Sequence, residues 1–390
     1  MTAFCFNMKK DSSKKITDLI YEIQKNIGSR IAGSSEEKMA SRVIKNIFED
    51  NCKNILFDPF YCNPRSIQNE IVFSCVVYCL SLLGYIVYPI FAPIILLFYF
   101  FNFYLIKFFD IRFSDIFVKK SKSHNLIAKY GDNDKAKTII FTANIDSPYF
   151  MKLYSSSIRK YSLKLKEYFN VSFIILFIIS VIKVLNIIPF FDDYIYLLPF
   201  MLIALIVFFY DNTVSYEKTL GANNNLSGVS VLAHLSEHLK ELDLKNVNVW
   251  LCVFGAKNAN LAGSKFFVNK YFKEIKNSEV INITSVSGDN LYIITRENYF
   301  KLNNNINLVD FIYKTSENIG IKLYRNFINI DTDSAPFSYE KIPSTTITSL
   351  DKDLIPLRYN IIDDLPQYIK EEQLVNVFNI CKEIIRVKNG

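Results

Sequence analysis

Histidine is the scarcest chemistry-bearing residue in this 390-residue chain: three occur, His124, His234 and His238. A multi-imidazole metal centre therefore has little to draw on. Glycine is also sparse, at 11 residues, against roughly 7% of an average chain. No G-x-G-x-x-G, no G-x-x-x-x-G-K-[ST] and no G-x-S-x-G segment is present, which removes the dinucleotide-binding, P-loop and Ser-His-Asp hydrolase readings. The seven cysteines, Cys5, Cys52, Cys62, Cys75, Cys79, Cys252 and Cys381, form no C-x-x-C pair. A disulfide framework and a thiolate zinc site are not suggested, and reduced thiols facing the cytosol fit best. The first residues, MTAFCFNMKKDSSKK, lack an apolar run of signal-peptide length, so a cleaved secretory leader is not expected.

Apolar character is what the chain has in excess. Half of it is hydrophobic and 15% aromatic, high for a soluble domain. The excess is concentrated in two stretches. One runs from Ile71 to Phe109 with no charged residue before Lys107; the other runs from Val171 to Tyr210. Each is long enough for two crossings at roughly 20 residues per helix. Each is also broken near its middle, by Gly84, Pro89 and Pro93 in the first and by Pro189, Asp192 and Asp193 in the second. We read two transmembrane hairpins, with Lys183 close enough to a tip to snorkel. Lys107, Arg112, Lys119, Lys120 and Lys122 follow the first hairpin, and Arg159, Lys160, Lys164 and Lys166 precede the second. The tips carry no basic residue, so the tips are expected outside and the rest in the cytosol. The net charge of +7 thus points to a lipid bilayer as partner and not to nucleic acid, since no Arg/aromatic stripe appears. The expected organisation is one domain in three pieces, 1–70, 110–168 and 211–390, interrupted by hairpins at 71–109 and 169–210.

Outside the hairpins, short runs rich in β-branched residues read as buried strands: NILFDPFYC, NLIAKY, KTIIFTANID, NVNVWLCVFGA, EVINITSVSG, NLYIITREN and STTITSL. Helical patterns alternate with them at Ser34–Asp50, Leu226–Leu242, Leu261–Phe272, Leu308–Ile319 and Glu371–Val387, the first with Ser34 or Ser35 placed to cap it. Strands alternating with helices give an α/β sandwich.

Six motifs follow in order: Ile27-Gly28-Ser29-Arg30-Ile31-Ala32-Gly33-Ser34; His124-Asn125-Leu126-Ile127-Ala128; Thr142-Ala143-Asn144-Ile145-Asp146-Ser147; Gly221-Ala222-Asn223-Asn224-Asn225-Leu226-Ser227-Gly228; Phe254-Gly255-Ala256-Lys257-Asn258 with Leu261-Ala262-Gly263-Ser264; and Thr332-Asp333-Ser334-Ala335-Pro336-Phe337. Together they resemble the M28 family of zinc aminopeptidases, and within it the membrane-embedded bacterial members that carry inserted hairpins. The resemblance implies an α/β/α sandwich with a mixed, largely parallel central sheet, here with four transmembrane helices added. It also implies a site of two zinc ions held by two His, two Asp and one Glu, with a second Glu as general base. In this chain the implied positions are occupied otherwise. The first His is Asn144, the bridging Asp is Asn223 with Asn224 beside it, and the last His is Asn360 after Tyr359. The general base is Lys257, a Glu ligand is Asn258, and the later Asp falls at Thr284. Only Asp146 survives, in a position that orients the first His.

Zinc wants imidazole and carboxylate; a neutral amide oxygen is a poor substitute. A protonated lysine repels a dication and accepts no proton. Neutral amides plus one cation make a metal-free pocket tolerable where clustered carboxylates would repel. The expectation is a folded pocket with no zinc and no other cofactor, and a pseudopeptidase with a binding, scaffolding or regulatory role. In that role Asp146 would meet a ligand's ammonium, Lys257 its carboxylate, and the partner would be a peptide or protein. Two alternatives stand beside it: a zinc aminopeptidase with a rearranged metal site, and a subunit of a membrane transport or assembly complex. The H-x-x-E-H segment His234–His238 has zincin spacing but lies away from the implied site, so surface histidines are expected there. His124 is expected to be structural. Asp331, Asp351, Asp353, Asp363 and Asp364 are read as mostly solvated loop residues, and Asp333 as structural. The sequence leaves the oligomeric state open.

Overall fold

The computed structural model of the protein describes residues 16–52, 54–116, 118–133, 136–155, 159–187, 197–239, 242–297 and 302–390. The tip of the second hairpin, with Pro189, Asp192 and Asp193, lies outside these residues, as does Cys5. The six described cysteines are unpaired.

Nine strands form one mixed sheet. In chain order they are β1 (Asn54–Cys62), β2 (Ser121–Tyr130), β3 (Lys137–Asn144), β4 (Val247–Phe254), β5 (Glu279–Ile283), β6 (Leu291–Glu297), β7 (Leu302–Asn303), β8 (Leu323–Ile328) and β9 (Ser344–Thr348). Their spatial order is β1-β2-β4-β3-β5-β9-β6, with β7 and β8 both paired to β6. Parallel pairing is confined to the centre, where β4, β3, β5 and β9 run together, and to β6 with β8. The flanks β1–β2, β2–β4 and β9–β6 are antiparallel. The central strands are buried almost end to end, as a sheet covered on both faces requires.

Helices cover both faces. One layer consists of α1 (Asp18–Asn26), α2 (Ser35–Glu49), and three further helices, numbered here in chain order: α7 (Ser227–Leu239), α9 (Ile306–Asn318) and α11 (Glu371–Asn389). It meets Ile139, Phe141 and Ala143 of β3. The opposite layer, α8 (Ala262–Ile275) and α10 (Ala335–Tyr339), meets Ile140, Cys252, Phe254 and Val280. Alternate residues of one strand thus feed two cores, as the period of two demands. In α2, Ser34 accepts the amide of Glu37 at 3.1 Å, and Ala40, Ile44 and Phe48 repeat at i+4 to face the sheet. Gly228 at the start of α7 is imposed by packing: a Cβ there would lie 2.1 Å from the carbonyl oxygen of Ile283.

The apolar stretches are helical. The first forms α3 (Ser66–Val87) and α4 (Phe91–Phe109); the second forms α5 (Ser162–Leu185) and α6 (Leu198–Thr213). Both hairpins begin earlier than hydropathy places them, at Ser66 and Ser162. Glu70 is drawn into α3 because Asn102 (3.0 Å) and Ser114 (2.7 Å) donate to its carboxylate. The four helices share a core of their own, with Tyr78, Leu82, Tyr85, Leu96, Tyr99, Phe173, Leu176 and Phe209, separate from the cores of the sheet.

Strand polarity places the junctions. β1 and β4 are both antiparallel to β2 and so run the same way. The carboxyl ends of β1, β4, β3, β5 and β9 therefore share one edge of the sheet. Hairpin one leaves from the end of β1 and returns to the start of β2, on that edge. Hairpin two leaves just after β3 and is closed at its root by Phe150 N–H to Glu217 O (2.9 Å) and Thr219 N–H to Pro148 O (3.1 Å).

Candidate functional site: a closed polar cluster at the carboxyl edge

The positions singled out from the sequence do come together on this edge, which is where open α/β sheets bind ligands. Asn144 ends β3. The register of β3 with β5, and of β5 with β9, sets Asn144, Thr284 and Thr348 at one level on three neighbouring strands. Asn144 Oδ1, Thr284 Oγ1, Thr348 Oγ1 and Asp333 Oδ2 are buried with no hydrogen-bond partner among the described protein groups. One level below, Thr142, Asn282 and Thr346 satisfy one another at 3.1 and 3.2 Å.

Asp146 is a hub. Its Oδ1 accepts from the Lys257 amide (2.9 Å) and from Asn144 Nδ2 (3.2 Å), and its Oδ2 from Asn258 N–H (2.8 Å) and Nδ2 (2.9 Å). Burial still holds its carboxyl above the ordinary range. Asp146 is thus a fully buried carboxylate with four N–H donors from within the protein.

Asn223, Asn224 and Asn225 form a tight turn whose organiser is Asp364. Its two oxygens accept the amides of Asn223 and Asn224, both at 2.8 Å. Asp364 is 1% exposed, and desolvation lifts it to about 7. The reading of Asp364 as a solvated loop residue is therefore overturned: the turn offers two converging N–H groups that only an internal carboxylate reaches. Asn224 donates to Asn360 Oδ1 at 2.9 Å, and Asn223 bonds Leu357 O and the Ser287 amide. Asn225 sits at φ 154°, with its Oδ1 on Arg30 (3.1 Å) and its amide on Asp146 O.

Arg30 is fully buried and holds Ile145 O, Gly28 O, Leu220 O, Gly221 O and Asn225 Oδ1 at 2.6–3.2 Å. Burial lowers its pKa to about 10, and Asp146, Asp364 and Glu37 oppose that shift. Glu37 accepts from the amides of Gly33 (2.7 Å) and Ala256 (2.9 Å) and from Ser123 Oγ (2.8 Å), and desolvation raises it to about 8. Lys257 is 5% exposed. Burial lowers its pKa, while Asp333, Asp146 and Glu297 pull it back up. Its ammonium lies 5.4 Å from the centre of the Tyr359 ring. Asp333 (about 6) and Glu297 (about 7) are both raised by desolvation. Seven buried charged side chains thus meet, two basic and five acidic. Sequence reasoning missed the roles of Arg30, Glu37, Glu297 and Asp364; Arg30 stood inside a quoted motif, which was the available signal.

A peptidase family M28 model matches residues 207–385. The chain is M28-like. Solved structures agree on the fold. The glutaminyl cyclase of Fimbriiglobus ruber is 14% identical and covers 96% of this chain and 94% of its own, with a TM-score of 0.57. That of Bacteroides thetaiotaomicron, bound to N-acetylhistamine, is 12% identical over 95% and 96%, with a TM-score of 0.59. A Zn-dependent exopeptidase from Parabacteroides distasonis is 12% identical over 96% and 97%, with a TM-score of 0.57. No curated protein matches the chain.

The zinc that such a fold implies does not fit the donors this M28-like chain presents. The implied ligand positions carry Asn144, Asn223, Asn258, Thr284 and Asn360. Asp146 is spent on four N–H donors, and Lys257 adds positive charge. Among the described residues no group of three His, Cys, Asp or Glu side chains is arranged to hold a metal ion. His234 and His238 lie elsewhere, both edge-on to Phe378 of α11. His124 stacks on Phe57 at 4.5 Å, and burial lowers it to about 4.

Proposed function

We propose that the protein is a membrane-anchored M28-fold pseudopeptidase that binds, scaffolds or regulates a peptide or protein partner and does not hydrolyse peptides. One observation carries this: Lys257, where the resemblance implies a general-base Glu, is 5% exposed and faces the carboxyls of Asp333, Asp146 and Glu297. A lysine there offers no carboxylate to take a proton from a metal-bound water, and the amides at the implied ligand positions supply no charge to hold a dication. Asn144, Asn223, Asn224 and Asn360 are all at most 6% exposed, so the cluster behaves as a closed polar core.

The anchoring half rests on the outer surface of α3 to α6. Val76, Leu83, Ile94, Leu97, Phe101, Ile174, Ile178, Met201 and Val207 are 48–73% exposed, Val76 at 50%. A core helix of a soluble protein would bury such faces. Two of the helices, Ser66–Val87 and Lys164–Leu185, are long and apolar enough to cross a membrane; Phe91–Ile106 and Leu198–Thr213 are shorter. We read all four as spans, with the α/β domain cytoplasmic on the Lys/Arg bias of the junctions. Lys183 rests over the Tyr85 ring at 4.2 Å and donates to Tyr85 O at 3.4 Å, a helix-to-helix tie and not a conduction site.

The test is metal content by mass spectrometry of detergent-purified protein after zinc loading and desalting, with an aminoacyl-substrate assay in parallel. Near-zero zinc and no turnover support the reading. One or two tightly held ions per chain, or zinc-dependent turnover, would overturn it.

A further inference from the structure

The segment 350–364 closes the polar cluster, and it is fastened to the root of the second hairpin. Its inner side supplies Asn360 to Asn224, Leu357 O to Asn223 and Asp364 to the turn at Ala222–Leu226. Its outer side is held by the residues that lead into α5. Met151 N–H donates to Asn360 O at 2.9 Å. Tyr154 meets Tyr359 edge to face at 5.1 Å. Arg159 pairs with Asp351 and donates to Pro356 O at 3.1 Å. Arg159 stands three residues before α5 begins.

The same segment holds backbone in the left-handed region without glycine, at Leu354 (φ 59°), Arg358 (φ 62°) and Asn360 (φ 52°). Such residues persist only where surrounding contacts impose them, and they cluster at switch segments.

We propose that segment 350–364 is a lid over the polar cluster and that the root of hairpin two is its latch, so that a shift of the hairpin in its bilayer opens the lid. The inference rests on the membrane reading above. The membrane acts on the cluster through a short set of contacts, and the protection of the lid follows the state of the bilayer.

Hydrogen exchange on the full chain in nanodiscs tests it, comparing dimyristoyl with dioleoyl phosphatidylcholine, whose thickness mismatch tilts helices. Exchange across 350–364 and 222–226 is expected to differ at least severalfold between the lipids, with β3 and β4 unchanged. Arg159→Ala is expected to raise exchange in both segments about tenfold in either lipid and to erase the difference between lipids. The swap Arg159→Asp with Asp351→Arg is expected to restore protection. Equal exchange in both lipids, or no response to Arg159→Ala, overturns the proposal. If Arg159→Ala also loosens β3 and β4, the swap decides, and failure to restore the lid overturns it. A chain that stays monodisperse without detergent and enters no nanodisc defeats the membrane reading instead. The latch is then judged by the Arg159 variants in aqueous buffer.

Discussion

The helical bundle and the α/β domain handle polarity in opposite ways. In the bundle both inside and outside are apolar, and many of its hydroxyls are satisfied within the helices. Ser74, Ser81, Ser172, Ser180 and Thr213 each donate to a carbonyl of their own helix, at 2.6–2.8 Å, and Tyr78 donates to Pro199 O at 3.0 Å. A helix in hydrocarbon must satisfy its polar groups internally. In the α/β domain the outside is polar, and the inside holds seven charged side chains in one network around Arg30 and Asp146. The comparison teaches that apolar and polar interiors are stable for different reasons. The bundle needs only shape and length. The cluster needs every partner present, because an unpaired buried charge costs far more than a pair returns.

Breaking the cluster should give the largest effect. Arg30→Ala takes a donor from five acceptors, of which Leu220 O keeps Gln24 Nε2 and Gly221 O keeps the Leu226 amide, and leaves the buried carboxylates uncompensated. It is expected to cost at least ~4 kcal/mol and to prevent recovery of folded protein; thermal unfolding in detergent, beside the milder Arg30→Lys, measures this. Next comes a substitution that means opposite things in the two solvents. Val76→Arg sits near the middle of α3 on an exposed face. In water it should be worth within about 0.5 kcal/mol, whereas at a bilayer centre it should cost roughly 2.5–3.5 kcal/mol and cut membrane insertion; a glycosylation-mapping assay on the hairpin distinguishes them.

A third effect is pH dependence. Glu37, Glu297, Asp333 and Asp364 are raised to about 8, 7, 6 and 7. The folded state therefore binds more protons than the unfolded state between about pH 4 and 8, and stability falls as pH rises through that window. His124, lowered to about 4, works the other way between about pH 4 and 6.5. The melting temperature should be higher at pH 5 than at pH 8, and Lys257→Met should steepen the decline by removing the cation that opposes it; a flat or rising profile would refute the cluster's electrostatics. The smallest effect belongs to His234→Ala, which is half exposed on α7 and should change stability by under about 0.5 kcal/mol and leave zinc uptake as it was.

Much of this was legible in the chain. Six of the seven strand runs contain β1, β3 to β6 and β9, the seventh covers the second half of β2, and the N-cap at Ser34 is where the pattern puts it, since buried strands and capped amphipathic helices write themselves locally. The two-residue β7 and half-exposed β8 left no such trace. The gathering of Asn144, Asn223, Asn224, Asn258, Thr284 and Asn360 was legible through motif order. The part played by Asp364 was not. Six aspartates between Asp331 and Asp364 look alike in sequence, and burial picks out Asp333 and Asp364 while leaving Asp363 exposed.

By itself the sequence determined two apolar hairpins, an alternating α/β order, and the replacement of carboxylates and imidazoles by amides and a lysine. The hairpins and the alternation are properties of composition and period, which need no neighbours; the replacements are what the resemblance implies at those positions. Only the tertiary structure decided which carboxylates are buried, which amide each one binds, and that both hairpins rise from the edge of the sheet that holds the cluster. Those facts depend on strand polarity and on contacts between residues as far apart as Glu37 and Ala256, 219 positions, and a hydrogen bond or a desolvation exists only once both partners have been brought together.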